Sequence, residues 1–214
     1  MAPRRFTVLT ATASEPPEGR SPARPPELDP LTLERAQRRE EAACRALVQR
    51  YQAGVFQTLG RVMGRRRPRS LSATSVADLG QETFLRVFRQ LGTFVAGGPA
   101  RLSTWIATIA TRVAIDELRR HRPETLPDDE AVTLVAGART DEGARGHDAL
   151  EVVERALAAL PPEWRAVLLL RVEHELEYED IASALGLELG TVRSRLARAR
   201  AALWDALAEL REVP

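Results

Sequence analysis

The strongest constraint on the fold lies near the C-terminal end, where Val192, Leu196, Ala199, Leu203, Leu207 and Leu210 recur at spacings of three and four. At 100° per residue these side chains share a narrow arc, so the segment can bury a single stripe only as an α-helix. Arg193, Ser194, Arg195, Arg198 and Arg200 are left around the remainder, and no acid interrupts residues 190–200. Just upstream, Tyr178 to Leu185 is long enough for two turns with Ile181 and Leu185 inward, and Gly186 suits the left-handed position that closes a helix. A short helix, a glycine turn and a second helix opening near Gly190-Thr191 have the spacing of a helix-turn-helix. Standing alone, an arginine-rich terminal helix is more often a solvated face. The short helix and turn ahead of it tip the reading towards DNA, since exposed N–H groups at a helix start suit phosphates and arginine forks suit base edges.

The same periodicity runs through the rest of the chain. Leu47, Tyr51, Val55, Leu59 and Val62 form one stripe from about Glu40, which Gly64 and the run Arg65-Arg66-Arg67-Pro68 interrupt. Phe84, Val87, Phe88 and Leu91 form a second stripe, ended by Gly92. Beyond the Gly97-Gly98-Pro99 loop, Leu102, Trp105, Ile106, Ile109, Val113 and Leu118 form a third, which closes on the basic run Arg119 to Arg122. Trp105 at a stripe position is read as core. Residues 123–148 carry seven carboxylates and two arginines without periodicity, the pattern of an acidic flexible linker. Leu150, Val153, Leu157 and Leu160 then begin a further helical group, which Pro161-Pro162 divides from Trp164, Val167, Leu168 and Val172.

The expected fold is therefore all-α, with a three- to four-helix bundle and a C-terminal helix-turn-helix domain joined by a flexible linker. The boundaries are a proline- and arginine-rich disordered tail over 1–38, a first domain over 39–122, the linker over 123–148 and a second domain over 149–214. Net charge is only +1, so any polyanion must be met by local clusters rather than by the total. Cys44 is the single cysteine, which excludes an intramolecular disulfide and reads as a buried, inert thiol. No apolar run approaches the roughly 20 residues needed to cross a bilayer, and residues 6–13 are too short for a signal-peptide core, so a cytoplasmic location without membrane insertion is expected.

Two groups of residues are similar to a known family. Asp78-Leu79-Gly80-Gln81-Glu82-Thr83-Phe84-Leu85, Leu102-Ser103-Thr104-Trp105-Ile106 and Ala114-Ile115-Asp116-Glu117-Leu118-Arg119-Arg120 resemble the second region of extracytoplasmic-function sigma factors. Leu157-Ala158-Ala159-Leu160-Pro161-Pro162-Glu163-Trp164-Arg165, Tyr178-Glu179-Asp180-Ile181-Ala182 and Gly190 to Arg200 resemble the fourth. The resemblance implies a promoter-specificity subunit that binds RNA polymerase core and initiates transcription without catalysis or cofactor of its own, in the cytoplasm at the nucleoid. Asp78, Gln81 and Glu82 would dock on the clamp of polymerase core. The loop at about Val95 to Arg101 would open the −10 element of promoter DNA and hold a flipped base, with Arg112, Arg119, Arg120 and Arg122 on the backbone. Thr191, Arg193, Ser194, Arg195 and Arg198 would read the −35 element. An anti-sigma factor covering these surfaces is a further partner of such proteins. Several positions depart from the family's usual residues: Ala77 replaces an acid, Gly80 interrupts the docking helix, Arg112 replaces Asn, and Glu175 and Glu177 replace Gly and Ser.

Two alternatives stand beside this reading. An ordinary DNA-binding regulator would use only residues 150–210, with the first bundle as a sensor or dimerisation unit. An enzyme finds little support, because His121, His147 and His174 lie apart from one another and from Cys44, and no phosphate-binding or nucleophile-elbow motif occurs.

Overall fold

A computed structural model describes residues 27–64, 75–98, 100–120 and 149–211, and every regular element among them is helical. The linker and Arg122 lie outside the described residues. The helices are α1 (Pro30–Gln37), α2 (Glu41–Met63), α3 (Val76–Gln90), α4 (Leu102–Arg120), α5 (Ala149–Ala159), α6 (Pro162–Val172), α7 (Tyr178–Leu185) and α8 (Leu189–Arg211), with a single 3-10 turn at Leu91–Thr93.

In the first bundle α2 is the central rod. Its stripe of Leu47, Tyr51, Val55, Leu59 and Val62 is buried against Leu79 and Val87 of α3 and Ile106, Ile109 and Val113 of α4. A capping box fixes the start of α3: Ser75 Oγ accepts from Asp78 N–H at 3.0 Å, and Asp78 Oδ2 accepts from Ser75 N–H at 2.8 Å. Gly80 has a packing reason invisible in the sequence, since a Cβ there would stand 2.7 Å from Cε1 of Phe56. The glycine lets that ring lie across α3.

Residues 30–37, expected within the tail, form α1, and residues 1–26 lie outside the described residues. Asp29 caps α1 through Thr32 N–H at 2.9 Å, Pro30 pre-sets its first turn, and Leu33 and Ala36 are buried in the first core. A proline-rich approach disguised this helix, and only one turn of it carries apolar side chains inward.

The second bundle packs Trp164, Val167, Leu168 and Leu170 of α6 around Ile181 of α7 and Val192, Leu196 and Ala199 of α8. Gly186 takes φ 63 at the end of α7, where Leu187 N–H returns to Ala182 O at 2.9 Å, a closure that favours glycine because its φ is left-handed. Val153, expected inward on α5, is instead exposed.

The two bundles also touch one another in this arrangement. The opposite side of α6 places Ala166 and Leu169 inside the first core, and Leu185 touches both cores. Arg165, only 4% exposed, closes the seam by donating through Nη1 to Arg61 O (3.2 Å) and Val62 O (2.9 Å) at the end of α2. Its Nη2 donates to Ala158 O (2.9 Å) and Leu160 O (2.6 Å) at the end of α5. Carbonyls at two helix C-termini are a favourable setting for a cation. Burial still pulls this guanidinium down to about 10, which leaves it charged at neutral pH. Gly64, at φ 72, permits the approach, because a Cβ there would collide with Arg165. Arg61 adds ion pairs to Glu173 and, at 3.6 Å, to Glu154.

Candidate nucleic-acid interface

The helix-turn-helix presents the start of α8 to solvent with a graded set of side chains. Arg193, Ser194 and Arg198 are exposed, Thr191 is half-buried, and Val192 and Leu196 face the core, which is the division that a 3.6-residue repeat dictates. Ser194 Oγ donates to Thr191 O at 3.0 Å, and Arg198 lies over the Trp164 ring at 5.8 Å, so both are held rather than free to rotate. Arg200 donates to the Tyr178 hydroxyl at 3.3 Å, linking the two helices of the motif.

Arg195 behaves differently. It is 8% exposed and lines a narrow cleft with Arg112, Ile115, Asp116 and Arg119 of α4 and Leu185 and Leu187 beside α7. Arg112 itself donates to Ser183 O at 3.1 Å and to Ala184 O, capping the C-terminus of α7 across the seam. Side chains expected on two separate promoter elements thus meet one another in this conformation. Their spacing in sequence gives no hint of it, because the contact depends on how the bundles dock.

On the first bundle the basic end of α4 is partly neutralised. Arg120 pairs with Glu117 at 2.7 Å, whereas Arg119 is exposed. Arg86 bridges Asp116 at 2.8 Å and Glu82 at 2.7 Å, and these two carboxylates in that order raise its pKa. The face of α3 with Asp78, Gln81 and Glu82 also carries Leu85, since these positions recur at three and four. Gln81 is exposed and Leu85 is 52% exposed, leaving an apolar side chain among polar ones. Asp78 is held below the usual carboxylate range by its hydrogen bonds from Ser75. Trp105 is half-buried, with its ring 5.4 Å from that of Phe94 at the root of the 94–101 loop.

Sequence reasoning missed Leu85 as an exposed apolar side chain and Arg61 and Arg165 as seam residues. Arg165 carried a signal, because it follows an apolar-facing Trp164 on a helix whose neighbours on every side are apolar. Among the described residues no cluster of His, Cys, Asp and Glu could hold a metal ion, and no helix is long and apolar enough to cross a membrane.

Comparison with known proteins matches both bundles. The family model of Sigma-70 region 2 matches residues 47–124, and that of Sigma-70 region 4 matches residues 150–203. The chain is 41% identical over 131 residues to the ECF RNA polymerase sigma factor SigC of Mycobacterium tuberculosis, covering 60% of this chain and 68% of that protein. To the RNA polymerase sigma-H factor of Pseudomonas aeruginosa it is 32% identical over 197 residues, covering 86% of this chain and 96% of that one. It is also 37% identical to SigE of Mycolicibacterium smegmatis over 135 residues, 62% of this chain and 51% of SigE, so it spans about half of that relative. Among solved structures, the sigma factor RpoE of Bartonella quintana, in complex with the anti-sigma factor NepR, shares the fold at a TM-score of 0.50 and 21% identity, covering 77% of this chain and 96% of that one. With both regions matched in order and a relative aligned over nearly its whole length, the chain belongs to the ECF RNA polymerase sigma factors, non-enzymatic subunits that bind RNA polymerase core and direct promoter recognition.

Proposed function

We propose that residues 39–122 carry the contacts to the polymerase clamp and the −10 element, and that residues 149–214 carry those to the −35 element. Asp78, Gln81 and Glu82 dock on the clamp, with Leu85 adding an apolar contact on the same face. Thr191, Arg193, Ser194, Arg195 and Arg198 read the −35 duplex, and Arg112, Arg119, Arg120 and Arg122 follow the −10 backbone. The observation that carries this reading is the exposed, acid-free start of α8 on a helix-turn-helix, where Arg193, Ser194 and Arg198 face solvent in one patch.

The reading requires the bundles to part. Arg195 and Arg112 are engaged at the seam, so reaching DNA means exchanging those contacts for phosphates and base edges, and core polymerase supplies the competing surface. The state described here is then the resting form, and location at the nucleoid follows from the promoter as ligand. An anti-sigma partner is part of the proposal, because the Bartonella relative of the same fold is complexed with one.

Run-off transcription with purified core is the test. Start sites mapped in overexpressing cells should be reproduced by the purified factor and lost with Arg193→Ala/Arg198→Ala at promoters that depend on their −35 element. Failure to initiate at any mapped promoter overturns the proposal.

A further inference from the structure

The loop between α3 and α4 carries two adjacent glycines. It contains Gly97 at φ 76 followed by Gly98, and its Val95 is 71% exposed. Both of its ends are nevertheless tied, and both ties come from one short stretch N-terminal to the bundle. At the entrance, Gln37 Nε2 donates to Leu91 O at 3.0 Å and to Phe94 O at 2.8 Å, holding the backbone as it leaves the 3-10 turn. At the exit, the Glu27 carboxylate accepts from Ser103 N–H at 3.2 Å and Ser103 Oγ at 2.5 Å, and pairs with Arg101 at 3.1 Å. One carboxylate therefore caps the first turn of α4 and fixes the last residue of the loop.

The stretch that supplies these ties is itself anchored to α2. Tyr51 Oη donates to Glu27 Oε2 at 2.8 Å and accepts from Leu28 N–H at 3.0 Å, while Leu33 and Ala36 are buried in the core. Cys44 Sγ donates to Ala36 O at 3.7 Å, which places the thiol in the same junction. Residues 27–37 precede the part of the chain that matches Sigma-70 region 2, which begins at residue 47.

We propose that this N-terminal arm, through Glu27 and Gln37, positions the loop that reads the −10 element and so sets how strictly that element is discriminated. The inference rests on the assignment of the 94–101 loop to −10 reading. Glu27 and Gln37 are positioning residues and touch no DNA. A glycine-containing loop anchored at both ends loses less conformational freedom when it grips a flipped base, and it presents one shape to competing bases. Releasing either end lets several shapes form, which accommodates poor −10 sequences at the expense of good ones.

The test uses full-length factor in reconstituted holoenzyme on a promoter library with a fixed −35 element and a randomised −10 element. Glu27→Gln, Gln37→Ala and Gln37→Glu are compared with wild type and with Val95→Ala inside the loop. Gln37→Glu keeps the size but cannot donate to the Leu91 and Phe94 carbonyls, so it should behave as Gln37→Ala does. The expected result is a −10 preference flattened by about 3- to 10-fold between best and worst sequences, the range that loss of one or two hydrogen bonds implies. Affinity for core and dependence on the −35 element should stay at wild-type values. A uniform fall in activity with the −10 ranking intact marks a merely structural role and overturns the proposal. If Val95→Ala changes the ranking and the arm variants do not, the arm fails alone. If neither changes it, the assignment of the loop to −10 reading fails and the arm's role falls with it. Amide hydrogen exchange on the full chain gives a second reading: residues 94–98 should exchange faster in the Glu27 and Gln37 variants with α2 unchanged, and unchanged loop protection counts against the proposal.

Discussion

The arginines of α4 and of α8 sit towards opposite ends of their helices, and the two settings differ in what the fold itself offers them. Arg119 and Arg120 occupy the last turn of α4, where a cation is favoured, and Arg120 is already paired with Glu117. Arg193 lies just beyond the first turn of α8 and Arg198 further along it, both exposed, and the open N–H groups of that helix start welcome an anion. The first bundle therefore stabilises its positive charge internally. The second presents its exposed arginines beside a helix N-terminus, an arrangement suited to a phosphate. A cluster of arginines is informative about a ligand chiefly when the local fold does not already compensate it.

The sharpest way to break this comparison is to ask whether the two bundles are energetically separate at all. Leu196→Ala should remove about 2–5 kcal/mol from the second core, reported by Trp164 fluorescence in a Trp105→Phe/Trp204→Phe background, because Leu196 is 1% exposed and Trp164 lies in the same cluster. Leu169→Ala should act on both bundles, since Leu169 sits in the first core while belonging to α6. Trp105, half-buried in the first bundle, then reports the coupled loss in a Trp164→Phe/Trp204→Phe background, and a Trp105 signal untouched by Leu169→Ala contradicts the shared seam.

Charge deletions come next in size. Arg193→Ala or Arg198→Ala should each weaken binding to a cognate −35 duplex by about 1–3 kcal/mol and lower the salt dependence of binding. Arg120→Ala should cost −10 binding less, because its partner Glu117 competes for the same charge. Equal losses for Arg120 and Arg193 in titrations at several salt concentrations would erase the distinction drawn between the helices.

Smaller effects are expected where this chain departs from its family in the turn before α7. Glu175 adopts φ 55, a left-handed conformation that glycine accepts without strain, and Glu177 sits at the N-cap of α7 without a side-chain cap bond. Glu175→Gly and Glu177→Ser should each stabilise the second bundle by about 0.5–1 kcal/mol in denaturant titrations. The exposed Arg171–Glu177 pair lost in the second variant offsets little.

A pH dependence originates in the first bundle. Burial first, and the Glu27 carboxylate as well, push the Tyr51 phenol up from 10.0 to about 12. The unfolded chain releases that proton near 10 and the folded chain holds it to about 12, so the contribution is complete below pH 10 and is lost as pH rises towards 12. Tyr51→Phe should flatten that part of the stability curve, as measured by denaturant titration across the range.

Much of this architecture was legible in the residues. Stripes at three and four residues located α2, α3, α4, α7 and α8, because each helix buries one face and its neighbours are polar. The start of α8 as the exposed basic edge was legible for the same reason. Leu33 and Ala36 were hidden by the prolines before them, and Gly80 read as a weakness until Phe56 was seen above it. The seam was not legible, since Arg165 finds only backbone carbonyls and Arg195 is covered by a helix about 80 residues earlier in the chain. Local patterns specify which face is buried, and they do not specify which bundle buries it.

The central claim is that the seam opens when the factor meets core and promoter, releasing Arg195 and Arg112. The most direct measurement is the electron–electron resonance distance between spin labels at Gln52→Cys on α2 and Ala201→Cys on α8, both exposed positions, in a Cys44→Ala background. A single distance in the free protein, replaced by a longer one in holoenzyme on a −35/−10 promoter, is the predicted result. A distance unchanged between the free factor and an initiating complex would contradict the account.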